Sequence, residues 1–261
     1  MKCFFARVLC EKVCPVHLTT WQWIWLALAA FCSGLSKTGI AGLSILPVAL
    51  FAIALPARAS TGALLPLLVC GDIFGVTFYR KHASWPHLWR LFPWVTVGVV
   101  AGYFALGRVN NQQIQRMIGL TLLIMVVLQW WRGRQGGDLA SRLPHSVWFA
   151  GLMGVLAGFT TMVANAAGPV MALYLLAIGL PKLVFIGTGA WFFLCVNAFK
   201  VPFSVQLGLI TPASLLMDAM LLLPMIPGAL LGPRIVKHIN QSVFEKMVLL
   251  LTLAGVVRLL W

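Results

Sequence analysis

A chain of 261 residues with 61% hydrophobic side chains and only 9% charged ones is excluded from the soluble class, where roughly 25% of residues are charged. Its mean hydropathy is +0.96. The formal charge of +14 is the sign expected of loops held against an anionic leaflet and a membrane potential, so most Lys and Arg are assigned to topology and nucleic-acid binding is set aside.

Apolar runs recur along the whole length with short basic connectors between them, as crossing a hydrocarbon layer of about 30 Å requires. Stretches such as Leu120 to Leu128 show none of the alternation of a β-barrel. The expected fold is therefore all-α: a polytopic inner-membrane helical bundle of two tandem repeats, with 8–10 membrane segments that include two broken helices or hairpins.

Residues 1–17, with Lys2, Arg7 and Lys12, read as an N-terminal cytoplasmic arm rather than a signal peptide, and whether Met1 is the natural start is open. The first membrane repeat is placed at 18–131. Its opening segment, Leu18 to Leu55, runs 38 residues, nearly twice what one straight helix needs to cross. Lys37 is its one charge after Trp21, inside the run Gly34-Leu35-Ser36-Lys37-Thr38-Gly39-Ile40-Ala41-Gly42. A break there, with Pro47 as a second weak point, gives two short helices meeting near mid-membrane. A span follows from Ala59 to Tyr79 with Pro66 and the acid Asp72, and then the basic, aromatic connector Arg80 to His87. His82 and His87 are read as interfacial rather than as a metal site or proton relay. Further spans run from about Leu88 to Leu106 and from Gln112 to Trp131.

A polar linker is expected at 132–144, and the second membrane repeat at 145–261. His145 to Leu180 is again over-long, and breaks at Thr160 to Pro169. The span Phe185 to Phe203 carries Asn197 and Lys200. Leu207 to Leu231 contains Asp218 and three prolines, and Val243 to Trp261 closes the chain. Six cysteines, Cys3, Cys10, Cys14, Cys32, Cys70 and Cys195, have neither zinc-site nor disulfide-framework spacing. No metal and no cofactor is implied.

The halves match residue by residue. At an offset of 130, Gly98, Gly102, Asn110, Met117 and Leu120 meet Gly228, Gly232, Asn240, Met247 and Leu250. Thr61-Gly62-Ala63 meets Thr188-Gly189-Ala190 at 127, Pro56 meets Pro181 at 125, and Gly34 meets Gly158 at 124. Such duplication marks many secondary transporters, whose sites lie at the repeat interface and are built from discontinuous helices. Repeat orientation stays open. If each broken segment crosses once, the repeats are parallel and the basic residues divide eleven to seven; if it is a hairpin, the repeats are inverted and the division is eight to ten, Lys37 excluded.

The run Gly34 to Gly39, the proline-bearing helix after it, the basic connector and the strings Ala164-Asn165-Ala166-Ala167-Gly168-Pro169 and Gly187-Thr188-Gly189-Ala190-Trp191-Phe192-Phe193 together resemble the TauE/SafE family of sulfite and organosulfonate exporters. The resemblance covers roughly Leu18 to Trp261. It implies a multi-pass permease of the bacterial inner membrane for a small sulfur-containing anion such as sulfite, sulfoacetate or another organosulfonate.

The residues themselves supply candidate roles. A lysine at the centre of a span costs about 2.5–3.5 kcal/mol, so Lys37 needs a partner, water or a ligand. A helix beginning after Gly39 would aim its positive end at an anion. Substrate binding is assigned to Ser36, Lys37, Thr38, Gly39, Thr160, Thr161 and Asn165. Coupling or structural polar roles go to Asp72, Asn197, Lys200 and Asp218, with Lys200 expected to snorkel to the interface. Because Thr161 stands at the offset of Lys37, the first half is expected to supply charge and the second neutral donors. The partners are a small anionic substrate and the lipid bilayer, with no nucleic acid; a homodimer is compatible with the sequence. A membrane enzyme would need clustered nucleophiles or acid–base pairs, which the dispersed His and acids do not provide. A transporter of another solute, or an accessory membrane subunit, is the alternative to keep.

Overall fold

Both over-long apolar segments turn back on themselves, and the rest of the bundle is arranged around the two turns. The computed structural model describes residues 18–38, 41–135 and 146–235, with Leu250, Leu253 and Val257. The arm at 1–17, Gly39, most of the linker at 132–144 and nearly all of the span expected at 243–261 lie outside the described residues. Among the described residues every regular element is helical: α1 (Thr20–Thr38), α2 (Ile45–Ala54), α3 (Ala57–Tyr79), α4 (Trp85–Arg108), α5 (Asn111–Gln135), α6 (Val147–Ala164), α7 (Gly168–Ile178), α8 (Lys182–Gln206) and α9 (Pro212–Ile235). A 3-10 turn, Ala41–Ser44, leads into α2.

At the start of α1, Gln22 Nε2 donates to Ala54 O at the end of α2, 2.8 Å away. The first broken segment is thus a hairpin, not a single crossing. The second behaves alike. Asn165 closes α6 in the left-handed region at φ 52°, a conformation asparagine tolerates better than most residues, and the chain reverses into α7. Pro169 sits in the first turn of α7, where its missing N–H costs nothing. Tyr174 and Ile178 of α7 then share a small cavity with Ser146 and Phe149 at the entrance of α6.

Cross-chain bonds identify the two ends of the bundle. At one end, Arg58 N donates to Asn111 Oδ1 (3.0 Å) and Arg58 Nη2 to Leu207 O (3.1 Å). At the other, Tyr79 Oη donates to Thr38 O (3.1 Å) and Ser84 N to Thr188 Oγ1 (2.9 Å). The first hairpin opens at the Arg58 end. α3, α4 and α5 then cross in turn, so that the second hairpin opens at the opposite, Ser84 end. α3 and α8 run antiparallel through the middle.

Helix association in a bilayer gains little from apolar burial, so it depends on close packing at small residues. A Cβ on Gly34 of α1 would collide with Met225 O and crowd Ala229 N of α9. A Cβ on Gly158 of α6 would collide with Val95 O and crowd Val99 N of α4. The two hairpins are therefore clasped in matching ways, each by a helix from the other half of the chain. The outward faces are apolar, with Trp21, Trp148 and Leu223 at 70%, 83% and 75% exposure. Five helices among the described residues are long and apolar enough to cross a membrane: Ala57–His82, Trp85–Arg108, Val147–Ala164, Leu183–Gln206 and Pro212–Gly232. Ile45–Ala54 and Gly168–Ile178 are shorter apolar helices. The protein is a multi-pass helical membrane protein.

Candidate functional site

The polar residues of both breaks and of the two central helices meet at one place. Lys37 lies in the last turn of α1, its side chain 11% exposed, with Nζ 2.6 Å from Oδ1 of Asp72 on α3. The ring of Phe193 lies beneath the same ammonium, 4.4 Å from nitrogen to centroid, in cation–π geometry. The other oxygen of Asp72 accepts from Asn197 Nδ2 of α8 at 2.6 Å. Asn197 Oδ1 in turn accepts from Lys200 Nζ at 3.2 Å. Lys200 also donates to Thr161 O (2.7 Å), Thr161 Oγ1 (3.0 Å) and Asn165 Oδ1 (2.7 Å). Asn165 Nδ2 donates to Thr61 O on α3 at 2.9 Å. One unbroken polar row therefore joins the first break to the second through α3 and α8.

One expectation is corrected by this row. Lys200 does not snorkel: it is fully buried, since α8 continues to Gln206 and the nearest oxygens are those of the α6–α7 break, one helical turn from Asn197. At the cavity the second half presents neutral groups, Thr161, Asn165 and Asn197, and its buried base Lys200 does not line it.

Beside the row lies a cavity of about 920 Å³, counting space open to solvent. Ser36, Lys37, Asp72, Thr161, Asn165 and Asn197 face it on the polar side, and Leu68, Met171, Leu175, Phe185 and Phe193 supply apolar walls. Ser44 and Gly168 also line it, and they touch: a Cβ on Gly168 would collide with Ser44 Oγ. These are the residues at which α2 and α7 begin, and neither helix start has a side-chain cap. The first turns of two helices, each equivalent to about half a positive charge, so converge on the cavity that holds Lys37. Ser44 Oγ is buried without a hydrogen-bond partner among the described residues. The sequence carries a signal for Ser44, a serine directly before an apolar helical run with a proline in its first turn. Phe193, the ring under Lys37, has no such signal within a run of aromatics.

The remaining candidates lie outside the row, although Ser36 faces the cavity. Ser36 Oγ donates to Ser33 O (3.0 Å), Thr38 Oγ1 to Gly34 O (3.1 Å) and Thr160 Oγ1 to Leu156 O (2.7 Å), each within its own helix. Thr38 and Thr160 do not line the cavity. Asp218 on α9 is 4% exposed, and neither of its carboxylate oxygens has a partner among the described residues. It is not part of the row. Among the described residues, no group of three or more His, Cys, Asp and Glu side chains is placed to hold a metal ion.

An all-helical multi-pass bundle whose polar groups converge from two helix breaks on a central cavity defines a membrane transport protein. The family model for the sulfite exporter TauE/SafE matches residues 25–259. The chain belongs to that family, whose members are membrane transporters of sulfur anions. No curated protein and no solved structure matches the chain.

Proposed function

We propose that the protein is a permease that exports a small sulfur-containing anion, such as sulfite, sulfoacetate or another organosulfonate, across the bacterial inner membrane. The observation that carries this reading is the convergence on one cavity of the α2 and α7 starts, Lys37 and the Ser44 hydroxyl, which has no partner among the described residues. All of them present positive potential or a donor, and an oxyanion is what such a set recognises. An arriving anion competes with Asp72 for Lys37, so loading loosens the link between α1 and α3.

Alternating access between two inverted repeats fits the exchanged clasps, in which α9 holds the first hairpin and α4 the second. It also fits the opposite ends at which the hairpins open, the arrangement expected of inverted transporter repeats. Among the described residues Arg80, Lys81, Arg90, Arg134 and Arg234 belong to the Ser84 end, against Arg58, Arg108 and Arg116 toward the other; the positive-inside rule applied to these residues turns the Ser84 end to the cytoplasm and puts the start of α1 on the far side, against the cytoplasmic arm read from the sequence. The cavity wall reaches toward that end through Phe185 and Ile186, early in α8, in keeping with a state that loads from the cytoplasm. The membrane potential then favours export by about 2.3 kcal/mol per charge per 100 mV.

Counterflow in proteoliposomes, with sulfite, sulfoacetate, taurine, sulfate and a plain carboxylate as the panel, tests the reading. At least one sulfur oxyanion is expected to exchange, with an outward bias under an inside-negative potential. Absence of exchange for every anion in the panel, from protein shown to be folded, overturns it.

A further inference from the structure

Lys200 is the one fully buried basic side chain among the described residues, and it does not line the cavity. Its nitrogen has four oxygens around it at 2.7–3.2 Å, from Thr161, Asn165 and Asn197, and none of them is a carboxylate oxygen. The orientation of both amides is fixed from behind. Asn165 Nδ2 is committed to Thr61 O and Asn197 Nδ2 to Asp72 Oδ2, so each turns its oxygen to Lys200. Three of the four are carbonyl or amide oxygens, which only accept, and donating to all three takes the three protons of an ammonium. The oxygens come from the α6–α7 break and from α8, the elements that must stay in register if the second hairpin is to keep its place beside the cavity.

We propose that this is a monovalent-cation site filled by the chain's own ammonium. Neutral oxygens gathered at a helix break are how membrane proteins bind alkali ions, and these contact lengths suit an ion of potassium or ammonium size rather than the smaller sodium. Lys200 is thus a tethered resident cation that holds the second break to α8, leaving no need for a free metal cation there. Lys37, its counterpart at the first break, faces the cavity instead and is left to the substrate. The assignment rests on the geometry around Lys200 and stands or falls separately from the anion-transport reading.

The test is thermal unfolding of purified, full-length protein in choline chloride, too bulky for the cage, against sodium, potassium, rubidium and methylammonium chlorides at equal ionic strength. Wild-type protein is expected to unfold at the same temperature in all five. Lys200→Met keeps the side-chain stem but vacates the nitrogen position; it is expected to unfold earlier in choline, and to regain roughly 3 °C or more, saturably, with potassium or methylammonium. Adding Asn165→Leu to Lys200→Met removes an oxygen and is expected to abolish the gain. A folded Lys200→Met protein with no cation-specific gain overturns the proposal, as does specific stabilisation of wild type by potassium or sodium. If Lys200→Met cannot be purified from choline medium, recovery of monodisperse protein only when potassium or methylammonium is present supports the proposal, and failure in every salt overturns it.

Discussion

Asp72 and Lys37 form an ion pair between two different helices at the cavity wall, and a double-mutant cycle on it gives a sharp expectation. Asp72 is 1% exposed and Lys37 11%, so their losses differ in kind. Lys37→Gln leaves a carboxylate sealed between α3 and α8 with Asn197 as its remaining hydrogen-bond partner; breaking a buried pair in this way costs about 3–5 kcal/mol. Asp72→Asn leaves an ammonium that reaches cavity water and keeps the Phe193 ring beneath it, so the cost is nearer that of one unsatisfied donor, about 1–3 kcal/mol. In the double variant neither charge is stranded, and its loss is expected to fall below the sum of the singles by about 2 kcal/mol, within the range seen for contacting residues. Denaturant titration in micelles, followed by circular dichroism, reads all four proteins. Losses that add to within about 0.5 kcal/mol, or an Asp72→Asn loss larger than that of Lys37→Gln, would refute the reasoning.

Further expectations concern the breaks and clasps. Gly34→Leu forces a side chain against Met225 O and should open the α1–α9 contact, lowering stability by about 1–3 kcal/mol or more, whereas Gly179→Ala meets no atom within 4 Å and should cost only the strain of its φ of 70°; thermal unfolding compares the two. Asn165→Ala is expected to destabilise more than Asn165→Gly, by about 1 kcal/mol, because both lose the bonds to Thr61 and Lys200 but only glycine adopts the left-handed φ freely; equal melting temperatures would contradict this. Ser44→Ala removes a hydroxyl with no partner among the described residues, so unfolding should shift by less than about 0.5 kcal/mol, while affinity for the transported anion drops by roughly fivefold, one net hydrogen bond. A stability loss without an affinity loss would make Ser44 structural instead.

Both breaks are legible in the sequence because length, glycine and proline constrain a membrane segment strongly. Leu18 to Leu55 cannot be one crossing, and Thr160 to Pro169 cannot continue a helix unbroken. Whether the broken segments crossed or returned was not legible, since that depends on which residues lie side by side at the ends, and the basic residues divide too evenly to decide. Gln22 beside Ala54 settles it. Asp72 and Asn197 were both identified as polar residues inside spans, but their bond to each other is a product of α3 and α8 crossing, which no local pattern encodes. The burial of Lys200 is not legible for the same reason: near the end of an apolar run, distance along the helix favours the interface, and only the folded α6–α7 break supplies the oxygens that turn it inward. The difference between the two lysines, one facing the cavity and one sealed, is a tertiary property.

Equilibrium titration of wild-type and Lys37→Gln protein with sulfite and sulfoacetate, by calorimetry on matched folded samples, addresses the site itself. A charge-assisted hydrogen bond contributes about 1.5–3 kcal/mol, so affinity should fall by roughly 10-fold to 150-fold in Lys37→Gln for whichever of these anions the wild type binds. Unchanged affinity in a folded Lys37→Gln protein would place the anion elsewhere than at the meeting of the two helix breaks.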